Sequence, residues 1–406
     1  MSNSHSQSER IMLKHFHSLF PGTRKSEIRH VYSPYRVCPV GAHIDHQHGH
    51  VTGFALDHGV DLLYVPTETA VINLFSRNFE EQVLFPLENV PHKYSHWGRY
   101  VQAAIYALSK QHKLKVGIQG LISGSLPVGG LSSSAAVLLC YIMALADVNG
   151  IDVGELELIQ LAFEAEREYI GLNLGKLDQS CEVLCRKDHL LYLDTKDESY
   201  RLIPPGPQMP PFDILIFFSG LTRTLMQTGY NTRTDECKVA AFDLLAYEGL
   251  PYGLLAETRL RDVDQAIFEK WKDKLPAPLA RRASHYMSEF ARVDEAVAAY
   301  QAGDIVHFGQ VMFASGLSSI QQWESGCPEM IALYEIMRDT PGIYGGRFSG
   351  AGFKGCCVAI ADPARREEIM RSVGARYLDK FPRLEGEYSA HVCKTADGAG
   401  HVGAPA

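Results

Sequence analysis

The chain has 406 residues, 46% hydrophobic and 21% charged, with a formal net charge of −8. That length exceeds one hydrophobic core and predicts two domains; the acidic balance argues against a nucleic-acid partner, which needs a basic face, but leaves room for a local basic pocket. No apolar run nears the ~20 residues of a membrane helix, no secretory pattern opens the chain, and nine cysteines without a paired framework predict free thiols in a cytoplasmic protein with no membrane partner.

In chain order, residues 30 to 80 read as strands and turns, "RHVYSPYRVCPVG" and "DLLYVPTETAVINLFS". Between them "GAHIDHQHGH" gathers His43, Asp45, His46, His48 and His50, a set able to bind zinc or to hydrogen-bond an organic ligand. A helix is predicted from about Trp97 to Leu108, then a strand and loop in "LKVGIQGLISGSLP". Ala135 to Ala146 is apolar on nearly every face and predicts a buried helix. "ELELIQLAFEAEREYIG" predicts another helix, ending at Gly171. Cys181 and Cys185, four apart on a helix, and the adjacent pair Cys356 and Cys357 read as core residues. Five prolines between Pro204 and Pro211 place a domain boundary, giving residues 1–205 and 206–406. Helical stretches follow near 276–302 and 305–314, then a glycine-rich, strand-like segment from Ile343 to Ala361. Strands and helices mix without strict alternation, which predicts the α+β class.

The sharpest local feature is "LPVGGLSSSAAV", from Leu126 to Val137. Gly129 and Gly130 permit a tight turn, and Ser132, Ser133 and Ser134 stand where a cap belongs, just before the buried helix. A helix N-terminus presents free N–H groups and partial positive charge, which favours phosphate; a well-capped helix without a ligand is the alternative. No lysine follows the glycines, so a triphosphate here would need a metal ion, with a serine hydroxyl among its ligands. A similar tripeptide in "SGLSSI", at Gly316, lacks the preceding glycines and reads as a decoy. On the helix from Glu155, the stripe Leu156, Ile159, Phe163 and Ile170 includes Glu166. A carboxylate on an apolar stripe needs a cation, either Mg²⁺ or an arginine such as Arg36. Asp178, in "GKLDQS", fits equally a helix cap and a fixed carboxylate at a site.

"RVCPVGAHIDH", "LPVGGLSSSAA" and "GGRFSGAGFKG", in that order, resemble the three motifs of the GHMP kinases, the small-molecule kinases named for galactokinase, homoserine, mevalonate and phosphomevalonate kinases. "LDQS" and "TGYN" match two smaller galactokinase features, and the resemblance spans about residues 25 to 395. It implies a two-domain fold with the active site in the cleft. It implies Asp178 as base or orienting anion and Arg36 stabilising the transferring phosphoryl group. Ser133 or Ser134, with Glu166, would hold Mg²⁺. Pro127, Gly129, Gly130, Leu131 and Ser132 belong to the ATP-binding loop. Trp97 would lie near adenine; His43, Asp45 and Tyr230 would face the sugar. Gly350, Ala351 and Gly352 belong to the third motif. On this reading the histidines are not a zinc cluster, and His46, His48 and His50 are loop residues without a chemical role.

Two departures matter. The glycine run before Leu131 is one shorter than in galactokinases. At Ala42, galactokinases carry a glutamate that meets the C6 hydroxyl of galactose. A carboxylate there would repel a C6 carboxylate, whereas alanine makes room for one. Together with "RVCPVGAHIDHQ" and "YGGRFSGAGFKGCC", this resembles the galacturonokinases and predicts transfer of phosphate from ATP to C1 of D-galacturonate. A galactokinase acting on galactose or a C6-modified sugar, and a non-catalytic sugar- and ATP-binding regulator, are the alternatives. Arg223, Arg233 and Lys176 are the candidate cations for the substrate carboxylate.

Overall fold

The computed structural model describes residues 2–172, 174–221 and 229–403. The first half forms strands β1 (Arg29–Val37), β2 (His50–Thr67), β3 (Val71–Ser76), β4 (Val83–Pro86), β5 (Gly117–Gly124), β6 (Leu190–Asp194) and β7 (Tyr200–Ile203). The second forms β8 (Asp213–Phe218), β9 (Ile343–Phe348), β10 (Cys356–Ala361) and β11 (Ser389–Cys393), a separate sheet in the order β11-β8-β10-β9. The proline-rich segment lies between the two sheets. Two last strands, β12 (Thr395–Ala396) and β13 (Gly400–Val402), return to pair with β2 and β1, so the C-terminal end of the chain belongs to the first sheet.

β1 and β2 pair antiparallel, with a register shift between Pro34 and Arg36. Proline cannot donate to the ladder, and a bulge re-aims the side chains that follow it. Arg36 is thereby turned into the protein interior, 4% exposed. The apolar helix is Ser133–Val148, and it packs on β1, β2 and β5. The helix expected from about Trp97 to Leu108 runs from Arg99 to Ser109.

The helix from Glu155 departs from expectation. It is α-helical to Glu164, becomes a π-helical turn over Ala165–Ile170, and ends at Gly171 with φ of 93°. It buries Leu158, Leu161 and Ala162 against its neighbours, and Leu156, expected on the apolar stripe, is 59% exposed. The wider π turn breaks the phase of a 3.6-residue pattern. Glu166 falls inside together with Ile159 and Ile170 of the expected stripe.

In the second half, Ala277–Ala302 and Ile305–Gln321 form a helical hairpin that packs on β9. A side chain at Gly309 would place its Cβ 2.1 Å from the carbonyl oxygen of Tyr344, so only glycine permits this approach. Among the described residues no helix is long and apolar enough to cross a membrane.

Candidate active site

The three motifs, far apart in sequence, meet at one carbonyl. Gly129 and Gly130 adopt φ of 138° and 90°. The Gly130 carbonyl oxygen accepts hydrogen bonds from Arg36 Nη1 at 3.1 Å and Ser349 Oγ at 2.7 Å. The glycines of the third motif lie directly on this loop: a Cβ at Gly350 would come 2.9 Å from Gly130 Cα, and one at Gly355 2.9 Å from the Gly129 carbonyl. Ser132 precedes the buried helix, but it does not cap it. Its φ is 59°, its side chain makes no cap hydrogen bond, and its buried Oγ has no partner. The left-handed backbone turns the hydroxyl away from the helix N–H groups, which leaves them for a ligand. Ser132, Ser133, Ser134, Gly129 and Gly130 border a cavity of about 430 Å³. Pro127 is exposed and Leu131 is buried in the core, and neither borders it.

Asp178 is not a helix cap; the helix begins at Leu177, and Lys176 occupies the cap position. Arg36 Nε and Nη2 donate to Asp178 Oδ1 at 2.9 and 2.7 Å. Arg36 therefore bridges the carboxylate to the glycine loop. Glu166 makes no salt bridge to Arg36; it accepts from Gln179 and Ser134, and its Oε1 has no hydrogen-bond partner. Burial, then the charge of Asp178, pushes Glu166 up to about 7. Asp45 is pushed up to about 6 by burial and by Asp178.

The sequence reading missed Glu182, one turn beyond Asp178. It is fully buried, and neither carboxylate oxygen has a partner. Burial, then Asp178, holds its pKa well above the usual carboxylate range. The signal was present: a glutamate in the apolar run "SCEVLC". Around Arg36 there are thus Asp45, Glu166, Asp178 and Glu182, an excess of carboxylate that calls for protons or a divalent cation.

At the other end the loop 41–48 is held from the second half of the chain. The Gly41 N–H donates to Glu289 Oε1 at 2.7 Å, and His285 Nε2 donates to the Ala42 carbonyl at 3.0 Å. Ala42, His43, Asp45 and Tyr230 all border the cavity. His43, with φ of 65°, stacks on Trp323 at 4.9 Å between ring centroids and 5° between planes. Its Nε2 is buried without a partner. Burial, then Arg347, holds His43 well below its ordinary pKa, so the ring is neutral. His46 is buried against Tyr230 and Trp323, with ring centroids 6.1 and 5.5 Å away. His50 instead meets Asp194 and Tyr192. His43 and His46 thus share Trp323, while His50 has other partners.

Two of the three expected cations are occupied elsewhere. Arg233 donates to the Trp323 and Glu324 carbonyls and Lys176 pairs with Glu198; neither borders the cavity, and Arg223 lies outside the described residues. Arg347, on β9, does border it. Ser315 and Ser319 anchor its guanidinium, so the decoy "SGLSSI" has a structural role after all. At the far end Trp97 borders the cavity beside Phe79, His96 and Tyr100, and its Nε1 donates to the Glu81 carbonyl at 3.0 Å. Ala351 and Gly350 also border the cavity, and Gly352 backs onto Phe348.

The chain matches the GHMP kinases N terminal domain over residues 99–186 and the GHMP kinases C terminal domain over residues 295–379. It is 39% identical to a galacturonokinase of Arabidopsis thaliana, covering 93% of this chain and 94% of that one. It is 30% identical to a galactokinase of Roseiflexus sp. (strain RS-1), covering 92% of each. Among solved structures it resembles Lactococcus lactis galactokinase complexed with galactose, with a TM-score of 0.87, 27% identity, and coverage of 97% of this chain and 100% of that one. Motifs, fold and relatives agree: the chain belongs to the GHMP kinase family, with galacturonokinase and galactokinase among its relatives.

Proposed function

We propose that this protein transfers the terminal phosphoryl group of ATP to C1 of D-galacturonate, giving galacturonate 1-phosphate and ADP. The relatives make it a sugar kinase with ATP as co-substrate. The observation that carries the choice of a sugar acid is Ala42. It is a buried, uncharged side chain, 6% exposed, on a cavity wall that also includes the cationic Arg347. The expected position of a galactokinase glutamate is thus empty of charge and near a guanidinium.

Phosphoryl transfer needs positioning and charge neutralisation more than covalent help. Asp178 orients the C1 hydroxyl and takes its proton, while Arg36 steadies that carboxylate and faces the transferring group. The glycine loop and the uncapped helix N-terminus wrap the phosphates, and Trp97 lies towards adenine. Glu166 with Ser133 or Ser134 would hold Mg²⁺, and the unpartnered Glu166 oxygen and the surplus of carboxylates fit that role. The ion would offset phosphate charge. In this reading the chain passes from the first domain to the second near residue 205, and the last strands, β12 and β13, return to the first; the free cysteines suit a reducing cytoplasm.

ADP release with Mg-ATP and galacturonate, glucuronate or galactose tests the reading. Galacturonate is expected to give the highest kcat/KM. Preference for galactose would replace the reading with galactokinase, and no turnover on any sugar would replace it with a regulator. Activity should also require Mg²⁺ or Mn²⁺, and Glu166→Gln should raise the metal concentration needed for half-maximal rate. Full activity in excess chelator would remove Glu166 from metal binding.

Asp45 gives a pH signature. With its pKa near 6, the acid form is favoured by the fold, so this group's stabilisation is complete below about pH 4 and is lost as pH rises through 6. Sugar binding runs the other way, because the ionised carboxylate accepts hydroxyl hydrogen bonds. kcat/KM for the sugar should therefore climb between about pH 5 and 7 and level off above. Asp45→Asn should remove that limb; its persistence would assign the titration to another group.

A further inference from the structure

The sugar end of the cavity is built on a charge imbalance. Glu289 is fully buried, and two guanidinium groups share it. Arg292 Nε donates to its Oε2 at 2.7 Å, and Arg347 Nη1 lies 3.5 Å from its Oε1. Its remaining partners, Ser315 Oγ and the Gly41 N–H, are neutral. His285, on the same helix, donates one ring nitrogen to the Ala42 carbonyl, and its pKa is lowered to about 4, chiefly by burial. The group therefore holds two positive charges against one negative, directly behind residues 41 to 43. Asp45 does not close the gap. The charged groups that act on it most are Asp178 and Arg36, at the phosphate end. The full charges that bear most on His43 are both cationic, Arg347 and then Arg233, and Arg233 donates only to carbonyls.

We propose that Arg347 and Arg292, sharing the single carboxylate of Glu289, supply an unbalanced buried positive charge that makes the cavity select an anionic sugar, with Arg347 the guanidinium nearest the substrate carboxylate. A lone buried charge is costly unless something of opposite sign completes it. With alanine at position 42, this chain does not supply the counter-charge, and the C6 carboxylate of the substrate does. A neutral hexose leaves the cluster uncompensated. Arg292 lies outside the cavity wall, so its effect on selectivity is electrostatic and not by contact. It acts as a positioning residue through Glu289. The inference rests on the galacturonate reading above.

The test compares kcat/KM for galacturonate and galactose in the native full-length enzyme, Arg292→Gln, Arg347→Gln and Arg347→Lys, with KM for ATP as a control. Arg292→Gln leaves Glu289 paired one-to-one with Arg347. The galacturonate-to-galactose ratio should then fall roughly tenfold, as expected for removing one charge at moderate range, with KM for ATP unchanged. Arg347→Gln should lower the ratio further, and Arg347→Lys should restore part of it. A merely structural role would lower both sugars alike and leave the ratio fixed. Arg347 is deeply buried and its glutamine variant is read only where its melt matches the native protein; the Arg292 side chain is 15% exposed, so that variant decides the matter alone. An unchanged ratio in Arg292→Gln, with the native enzyme still preferring galacturonate, overturns this inference and spares the reading. A native preference for galactose overturns the reading itself.

Discussion

Ala42→Glu is expected to lower kcat/KM for galacturonate by tenfold to a thousandfold while galactose loses little or gains. The Ala42 carbonyl is fixed by His285 and the neighbouring Gly41 N–H by Glu289, so the loop cannot easily swing the new side chain away. A glutamate there would lie in a partly buried site beside the substrate carboxylate. Two unit charges about 4 Å apart at an effective dielectric of about 20 repel by roughly 4 kcal/mol. One of them must take up a proton or leave, and each 1.36 kcal/mol lost is about a factor of ten in rate. The same glutamate would neutralise the positive cluster around Arg347, and its carboxylate could accept from a C6 hydroxyl. Kinetics of native enzyme and variant on both sugars settle it. Equal losses on the two sugars would mean that position 42 senses only packing.

Asp178→Asn should lower turnover by about a hundredfold or more, the scale of losing general-base or orienting help, while ATP binding persists. The asparagine keeps the shape, and its carbonyl oxygen can still accept from Arg36, whose two hydrogen bonds to Asp178 both go to Oδ1. Arg36 would also keep its hold on the Gly130 carbonyl. What disappears is the negative charge and the ability to take a proton from the sugar hydroxyl. Single-turnover ADP formation, nucleotide affinity and a thermal melt separate these effects. Near-normal turnover would take Asp178 out of the chemistry. A variant that melts far below the native protein would instead show that the carboxylate mainly stabilises buried Arg36.

The sequence by itself determined the parts that are local. Glycines before serines and an all-round apolar helix announce a phosphate loop, because backbone freedom and helix-end polarity are properties of adjacent residues. A glutamate on an apolar stripe announces a costly charge, and Glu166 was legible that way; the role of Asp178 was legible only against the family pattern. Ala42 was legible only against the family pattern. The tertiary structure decided everything that depends on which distant groups share a space. Leu156 is exposed although it shares a stripe with buried Ile159 and Ile170, and Ser132 fails to cap because its backbone is left-handed. Arg233 and Lys176 were plausible cations by proximity in sequence, but the fold gave them other partners. Arg347, hidden in a glycine-rich motif, is held at the cavity by serines of the segment "SGLSSI" that read as a decoy. Glu289 and His285 reach back across more than 240 residues to hold Gly41 and Ala42. Charge selectivity is a sum over such neighbours, and long-range electrostatics in a low-dielectric interior is set by distance in space, which the order of residues along the chain does not contain.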